Sequence, residues 1–334
     1  MHAIEVREET QVGQARRCAV EMAVRSGFGE EDAGRVAIVA TELATNLLKH
    51  AGGGELVVSL FEDRLGSGVE CLALDKGPGM SNVDASLRDG ESTTGTAGTG
   101  LGAIVRGSHM VDIYSRPGLG TAVLARLEPG RPSRAAAGPP TALSAAISLP
   151  MPGEEAFGDA WCVKSGDGRV SLVVADGLGH GRMAAEASRA AIQTFLENPG
   201  SPPAETLERM HRALRPTRGA AVAIADIDMR RGSVLYAGVG NIAGVAISGG
   251  RTRDMVSHNG TVGLSARRIQ TFEYAFNEPP LVILCSDGMQ SSWSIDRYPG
   301  LGERHPAVIA GVLYRDFTRG RDDVTVLVVR GDQL

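Results

Sequence analysis

The 334 residues contain no apolar run of the ~18–20 residues that a bilayer-spanning helix requires. The opening stretch MHAIEVREETQ has no apolar segment of the secretory-leader kind. A cytoplasmic protein without a membrane partner is expected. A basic excess is missing too: 34 Lys and Arg stand against 39 Asp and Glu, with no basic stripe and no block of five like charges. That disfavours nucleic acid as a partner and leaves small molecules or proteins. Cysteine is scarce and scattered. Cys18, Cys71, Cys162 and Cys285 form no CxxC and no Cys/His pair, which fits neither a zinc site nor a disulfide framework, and each reads as a small apolar residue in a reducing compartment. No Walker A pattern GxxxxGK[ST] occurs, so any nucleotide site is not a P-loop.

Hydrophobic residues at 43% and charged residues at 22% indicate globular rather than disordered chain, and the length suits two domains. The stretch 129–143, PGRPSRAAAGPPTAL, holds four prolines and no hydrophobic periodicity. It reads as an extended linker between a domain of residues 1–128 and another of residues 144–334. In the first half, helices are expected near 11–26 and 30–50, strands at 4–7, 56–61 and 69–74, and a closing hairpin of 110–115 and 121–127. A long Gly/Ser/Thr-rich loop fills 76–99, and a short helix begins near Gly100. Helices on one face of a mostly antiparallel sheet make an α+β sandwich. The second half offers seven short strands, with helices at about 182–197, 203–214 and 304–317. Runs such as VSLVVA, LVILCS and VTVLVV suit strands buried on both faces, hence two packed sheets flanked by helices.

Two constellations carry chemistry. In ATELATNLLKHA, Glu42, Asn46, Lys49 and His50 fall on one face of the second helix. A carboxylate there can orient or deprotonate an attacking hydroxyl, and an amide oxygen one turn on can hold Mg²⁺ beside phosphates. A solvated helix face would show the same residues. Asp75-Lys76-Gly77-Pro78-Gly79 follows an apolar strand, where the aspartate can accept from an exocyclic amine such as that of adenine and Gly77 and Gly79 let the backbone close over a flat ring. Gly98-Thr99-Gly100-Leu101-Gly102 then opens a helix whose amides and dipole favour phosphate.

The second constellation consists of aspartates at strand edges: Asp159 in FGDAW, Asp176 after VSLVVA, Asp287 after LVILC, and Asp322 and Asp323 before TVLVV. Any one is commonly a turn residue. Four in strand-end register point to hard oxygen ligands for Mg²⁺ or Mn²⁺, and two such ions would balance four carboxylates and activate a bridging water.

ELATNLLKHA, DKGPGM and TGLG, in this order, resemble the nucleotide-binding boxes of the GHKL (Bergerat) ATPases. VREETQVGQARR, the lid DGESTTGTAGTGLGA and the tail SRPGLGTAVLARL resemble the RsbT-like anti-sigma-factor regulatory kinases. That resemblance implies ATP and Mg²⁺ as cofactors, with Glu42 as catalytic base toward a Ser or Thr hydroxyl and Asn46 on Mg²⁺. It puts adenine on Asp75, the Gly77 and Gly79 loop beside it, and a lid from about Gly90 through Thr99, Gly100 and Gly102 over the triphosphate. Lys49 would contact phosphate or pair locally.

In the second half, GDAW, VADGLGHGRMAAEAS, LYAGVGNIAG, HNGTVGL, LCSDGM and RDDVTVLV resemble the protein phosphatase 2C superfamily in its short SpoIIE/RsbX branch, an αββα sandwich. By that resemblance Asp159, Asp176, Asp287 and Asp322, chosen over Asp323, ligate two Mn²⁺ or Mg²⁺ ions together with the carbonyl of Gly177. His180 is a general acid or a helix-start packing residue. Together the halves imply a bifunctional partner-switching regulator that phosphorylates and dephosphorylates a Ser or Thr of a STAS-domain antagonist. The alternative is a phosphatase whose ATP domain only binds or regulates.

Overall fold

The computed structural model describes residues 1–63, 66–83, 100–130, 142–154, 156–166 and 168–331. They form two compact units, Met1–Ala137 with Tyr298–Arg315, and Gly138–Arg297 with Asp316–Leu334.

The first unit runs β1 (His2–Val6), α1 (Glu9–Arg25), α2 (Glu30–Ala51), β2 (Gly54–Asp63), β3 (Gly66–Asp75), α3 (Gly100–Gly107), β4 (Met110–Ser115) and β5 (Thr121–Leu127). Gln11 starts α1 by accepting the Glu8 amide at 3.0 Å. Gly52, at φ 72°, ends α2 in the left-handed conformation that glycine adopts without cost. The strands make one antiparallel sheet in the order β1-β2-β3-β5-β4. Along β3 the two-residue period sends Val69, Cys71 and Ala73 into a core with Val36, Val39, Leu43 and Leu47 of α2.

The second unit runs β6 (Ala142–Leu149), β7 (Asp159–Gly166), β8 (Arg169–Gly177), α4 (Arg182–Glu197), α5 (Pro203–Ala213), β9 (Ala220–Asp228), β10 (Ser233–Val239), β11 (Ala243–Ser248), β12 (Arg251–Met255), β13 (Phe272–Ala275), β14 (Leu281–Cys285) and β15 (Val324–Gly331). Two antiparallel sheets result, ordered β13-β10-β9-β8-β7 and β12-β11-β14-β15-β6. Leu172, Val174 and Ala225 of one sheet meet Val282, Leu284, Leu327 and Val329 of the other in a shared core. The opposite face of the first sheet buries Val173, Ala175 and Val222 with Ala187 and Ala191 of α4 and Leu207 and Met210 of α5. Strands buried on both sides account for their unbroken apolar runs.

The structure corrects the sequence reading in three places. Ala142 and Leu143, read as linker, already belong to β6, where they pair with Gly331 and Arg330; linker residues 131–141 lie outside the described residues. Strands β6, β12 and β13 were not expected. All three are sheet edges, and β12 (RTRDM) is charged and exposed, so it carries no hydrophobic pattern. The third correction concerns α6 (Pro306–Phe317), which lies in the second half of the sequence yet packs, up to Arg315, in the first unit. Leu72 and Leu74 alternate away from the α2 core but are equally buried. Gly311 of α6 comes so close that a Cβ there would stand 2.6 Å from Leu72 Cδ2 and 2.9 Å from Leu74 Cδ2. Helices thus cover both faces of the first sheet, not one, and the boundary expected at 128/144 omits the returning segment Tyr298–Arg315.

Candidate nucleotide and metal sites

In the first unit, Glu42 and Asn46 sit half-buried one turn apart on α2. Both face Gly100, the first residue of α3: a Cβ built there would lie 3.1 Å from Asn46 Oδ1 and 3.3 Å from Glu42 Oε2. The start of a helix and its amides therefore meet a carboxylate and an amide side chain. Asp75, at the end of β3, accepts the amides of Gly77 at 2.8 Å and Thr121 at 3.1 Å, both on Oδ1, which leaves Oδ2 outside these bonds. Burial pushes its pKa up, while those two amides and Arg315 pull the other way. Gly79, at φ 71°, tolerates no side chain, because a Cβ would meet the Arg116 carbonyl at 2.0 Å. Gly77 packs against Ala51, and Gly102 is buried in α3. Lys49 is exposed in the last turn of α2, where a cation also suits the helix dipole. Thr99, with the lid residues 90–99, lies outside the described residues.

In the second unit, antiparallel pairing gathers the aspartates. Asp159 opens β7 directly opposite Asp176 at the end of β8, while Asp287 follows β14 and Asp322 precedes its partner β15. Asp176, Asp287 and Asp322 line one cleft of about 550 Å³. Asp323 does not line it. Its carboxylate accepts the amides of Met151 at 2.7 Å and Gly158 at 2.8 Å, so it is a structural clamp. Asp159 is 3% exposed, and neither of its carboxylate oxygens has a hydrogen bond of full geometry, although Ser286 and Thr325 lie near enough to favour its charged form. Burial raises the pKa of Asp159 and of Asp176, and in Asp176 the neighbouring Asp159, Asp287 and Asp322 add to it.

Among the described residues no three His, Cys, Asp or Glu side chains converge into a finished ligand set. An orphaned, buried carboxylate beside three carboxylates in one cleft nevertheless fits hard divalent cations, since Arg321, the one Lys or Arg on the described cleft wall, balances only one of those charges. Gly177 is buried against α4, where a Cβ would meet the Ala184 carbonyl at 2.0 Å. His180 is exposed at the cleft, and its Nδ1 lies 3.0 Å from Glu154 Oε1. Sequence reasoning assigned no role to Asn241, Asn259, Thr261 or Arg321, all of which line the cleft. Asn241 Nδ2 donates to Asp287 Oδ2 at 2.7 Å. Its signal was present as the polar break in the apolar segment GVGNIAG.

Comparison with known proteins follows the same division. The family model for stage II sporulation protein E (SpoIIE) matches residues 166–332, and a histidine kinase-like ATPase domain matches residues 5–127. The serine/threonine-protein kinase RsbT of Bacillus subtilis (strain 168) is 31% identical over 122 residues, 36% of this chain and 92% of RsbT. The phosphoserine phosphatase RsbX of the same organism is 37% identical over 91 residues, 27% of this chain and 45% of RsbX. A solved structure from the bacterial stressosome, a modular system adapted to control secondary messenger signalling, is 28% identical with TM-score 0.54, covering 57% of this chain and all of that one. The crystal structure of RsbX in complex with magnesium shares the fold at 21% identity and TM-score 0.53, covering 58% of this chain and 98% of that one. No helix among the described residues is long and apolar enough to cross a membrane. The chain belongs to the SpoIIE family of 2C-type phosphatase domains, carried here behind an RsbT-like ATPase domain of the histidine kinase-like superfamily.

Proposed function

We propose that this chain is a bifunctional partner-switching regulator, which phosphorylates a Ser or Thr of a STAS-domain antagonist and removes the same phosphate. The observation that carries the kinase half is the meeting of Glu42 and Asn46 at Gly100. A module that only bound nucleotide would need the helix start and Asp75 but no carboxylate beside the phosphates. Glu42 takes the proton of the attacking hydroxyl, the γ-phosphoryl passes to that oxygen, and ADP leaves. Asn46 holds the Mg²⁺ that accompanies the nucleotide.

For the phosphatase half, Asp159, Asp176, Asp287 and Asp322 with the Gly177 carbonyl hold two Mn²⁺ or Mg²⁺ ions; the magnesium complex of RsbX supports this reading. Those ions supply an activated water at neutral pH. The chain's own residues do the rest: Asn241 fixes Asp287, and Asp323 ties the segments 151 and 158 to the start of β15. Opposed activities in one chain keep both near one substrate at high effective concentration. The test is radiolabelled ATP turnover with and without a STAS protein, followed by Mn²⁺-dependent release of the label. Transfer and release both dependent on the STAS protein are expected. ATP binding with no transfer would leave the ATP domain as a regulatory module.

A further inference from the structure

Arg315 is the last residue of the returning segment and stands at the adenine end of the nucleotide site. Its Nη1 donates to the carbonyl of Asp75 at 2.7 Å and to that of Thr121 at 3.4 Å, and its Nη2 donates to the carbonyl of Leu119 at 2.8 Å. The residue is 9% exposed. These carbonyls belong to the end of β3, to the β4–β5 turn and to the first residue of β5. Turn and strand touch: Gly120, at φ 71°, has no room for a side chain, since a Cβ would stand 2.1 Å from the Asp75 carbonyl. The guanidinium fork therefore fastens the turn to the strand, a geometry that a planar, rigid, multiply donating group suits and an ammonium does not. Thr121, which opens β5 directly after that turn, supplies the amide that holds the Asp75 carboxylate. Other contacts seat the segment. Tyr314 donates its hydroxyl to Glu55 at 3.2 Å, the His305 amide reaches Asp112 at 2.7 Å, and Tyr298 meets Tyr114 edge to face at 6.4 Å between ring centres.

We propose that Arg315 is a positioning residue of the nucleotide site: by fixing the β4–β5 turn against β3 it aims the Asp75 carboxylate at the exocyclic amine of the purine. Adenine recognition by the ATPase domain then depends on a residue drawn from the phosphatase half of the sequence, and the first 128 residues alone hold an incomplete site. The inference rests on the reading of Asp75 as the adenine-binding residue. Losing the fork removes three hydrogen bonds that hold the turn to the strand, so the loss falls on contacts made through Asp75.

The experiment compares equilibrium binding of ATP and of inosine triphosphate, whose purine carries an oxygen in place of that amine, to the full chain with Mg²⁺. The wild-type protein is expected to prefer ATP by about tenfold, the scale of one hydrogen bond to a charged acceptor. Arg315→Lys and Arg315→Gln should lose about that tenfold for ATP and change less than twofold for inosine triphosphate, so the preference collapses. Tyr314→Phe removes a contact of the same helix and should keep the preference. An Arg315→Lys protein with intact preference, or one that loses both nucleotides equally, overturns the proposal. A wild-type protein without preference overturns the Asp75 reading itself, which is a separate failure. Should the Arg315 variants not fold, amide exchange in the wild-type chain decides. ATP, but not inosine triphosphate, should slow exchange over residues 312–317, and equal slowing overturns the proposal.

Discussion

Asp159 and Asp176 face each other directly across the β7–β8 ladder, a buried carboxylate paired with a half-buried one at the cleft. Like charges so placed destabilise a sheet unless a cation sits between them. In metal-free protein the charged pair is a cost. Asp176→Asn should therefore melt at a higher temperature than wild type in chelator, and added Mn²⁺ should stabilise it far less. Wild type should gain about 2.7 kcal/mol at a hundredfold excess of Mn²⁺ over its dissociation constant. Phosphate release by the variant should fall by about 10²-fold or more, with ATP binding unchanged. Near-normal Mn²⁺-dependent release would remove Asp176 from the site.

Asn241 offers a gentler probe of the same cleft. Its amide holds Asp287 at 2.7 Å without belonging to the carboxylate set. Partners of ligands typically affect metal affinity by about 10–100-fold. Asn241→Ala should weaken Mn²⁺ binding on that scale, read by calorimetry, and excess Mn²⁺ should restore most of the phosphatase rate. A rate that excess metal leaves low would place Asn241 on the substrate instead.

Most of the residues proposed for both sites were legible in the sequence because each sits at a marked place on a regular element. Asp75 and Asp176 end apolar strands, Glu42 and Asn46 share a helix face, and Gly100 opens a helix, so local periodicity located them. The choice of Asp322 over Asp323 came from resemblance, and the structure supplies its physical support: two backbone amides occupy Asp323. What the sequence hid was long-range. Nothing local in PAVIAGVLYRDF says which sheet its apolar residues will cover, and Arg315 finds Asp75 across 240 residues. Edge strand β12 was hidden for the opposite reason, since exposure removes the alternation that marks a strand.

Gly311 measures how tightly the returning helix sits on the first sheet. Alanine there gains about 1 kcal/mol of helix propensity but forces the buried Leu72 and Leu74 side chains to shift, so a small net loss of stability is expected. Gly311→Leu overfills the contact and should cost about 1–3 kcal/mol in denaturant titration. If the leucine variant is as stable as wild type, α6 is more loosely docked on the sheet than the close approach of Gly311 requires.

Glu42 and Asp75 should separate catalysis from binding, because the proposed site puts them at different ends of the nucleotide. Glu42 faces Gly100 at the start of α3, where phosphates are favoured and only a reacting hydroxyl needs a base. Glu42→Ala should keep ATP affinity and lose phosphoryl transfer by about 10²–10⁴-fold. Asp75 has its Oδ1 committed to Gly77 and Thr121, which leaves Oδ2 for the purine on the proposed reading. Asp75→Asn should weaken ATP binding by roughly ten- to hundredfold, equivalent to ~1.5–3 kcal/mol for a hydrogen bond to a charged group. Transfer at saturating ATP should stay closer to wild type, because the reacting end is untouched. Titration of each variant with labelled ATP, then transfer to a STAS protein, reads both quantities. Wild-type transfer by Glu42→Ala would make that carboxylate structural and leave the ATP domain a binding module, while the metal site of the second unit would stand unaffected.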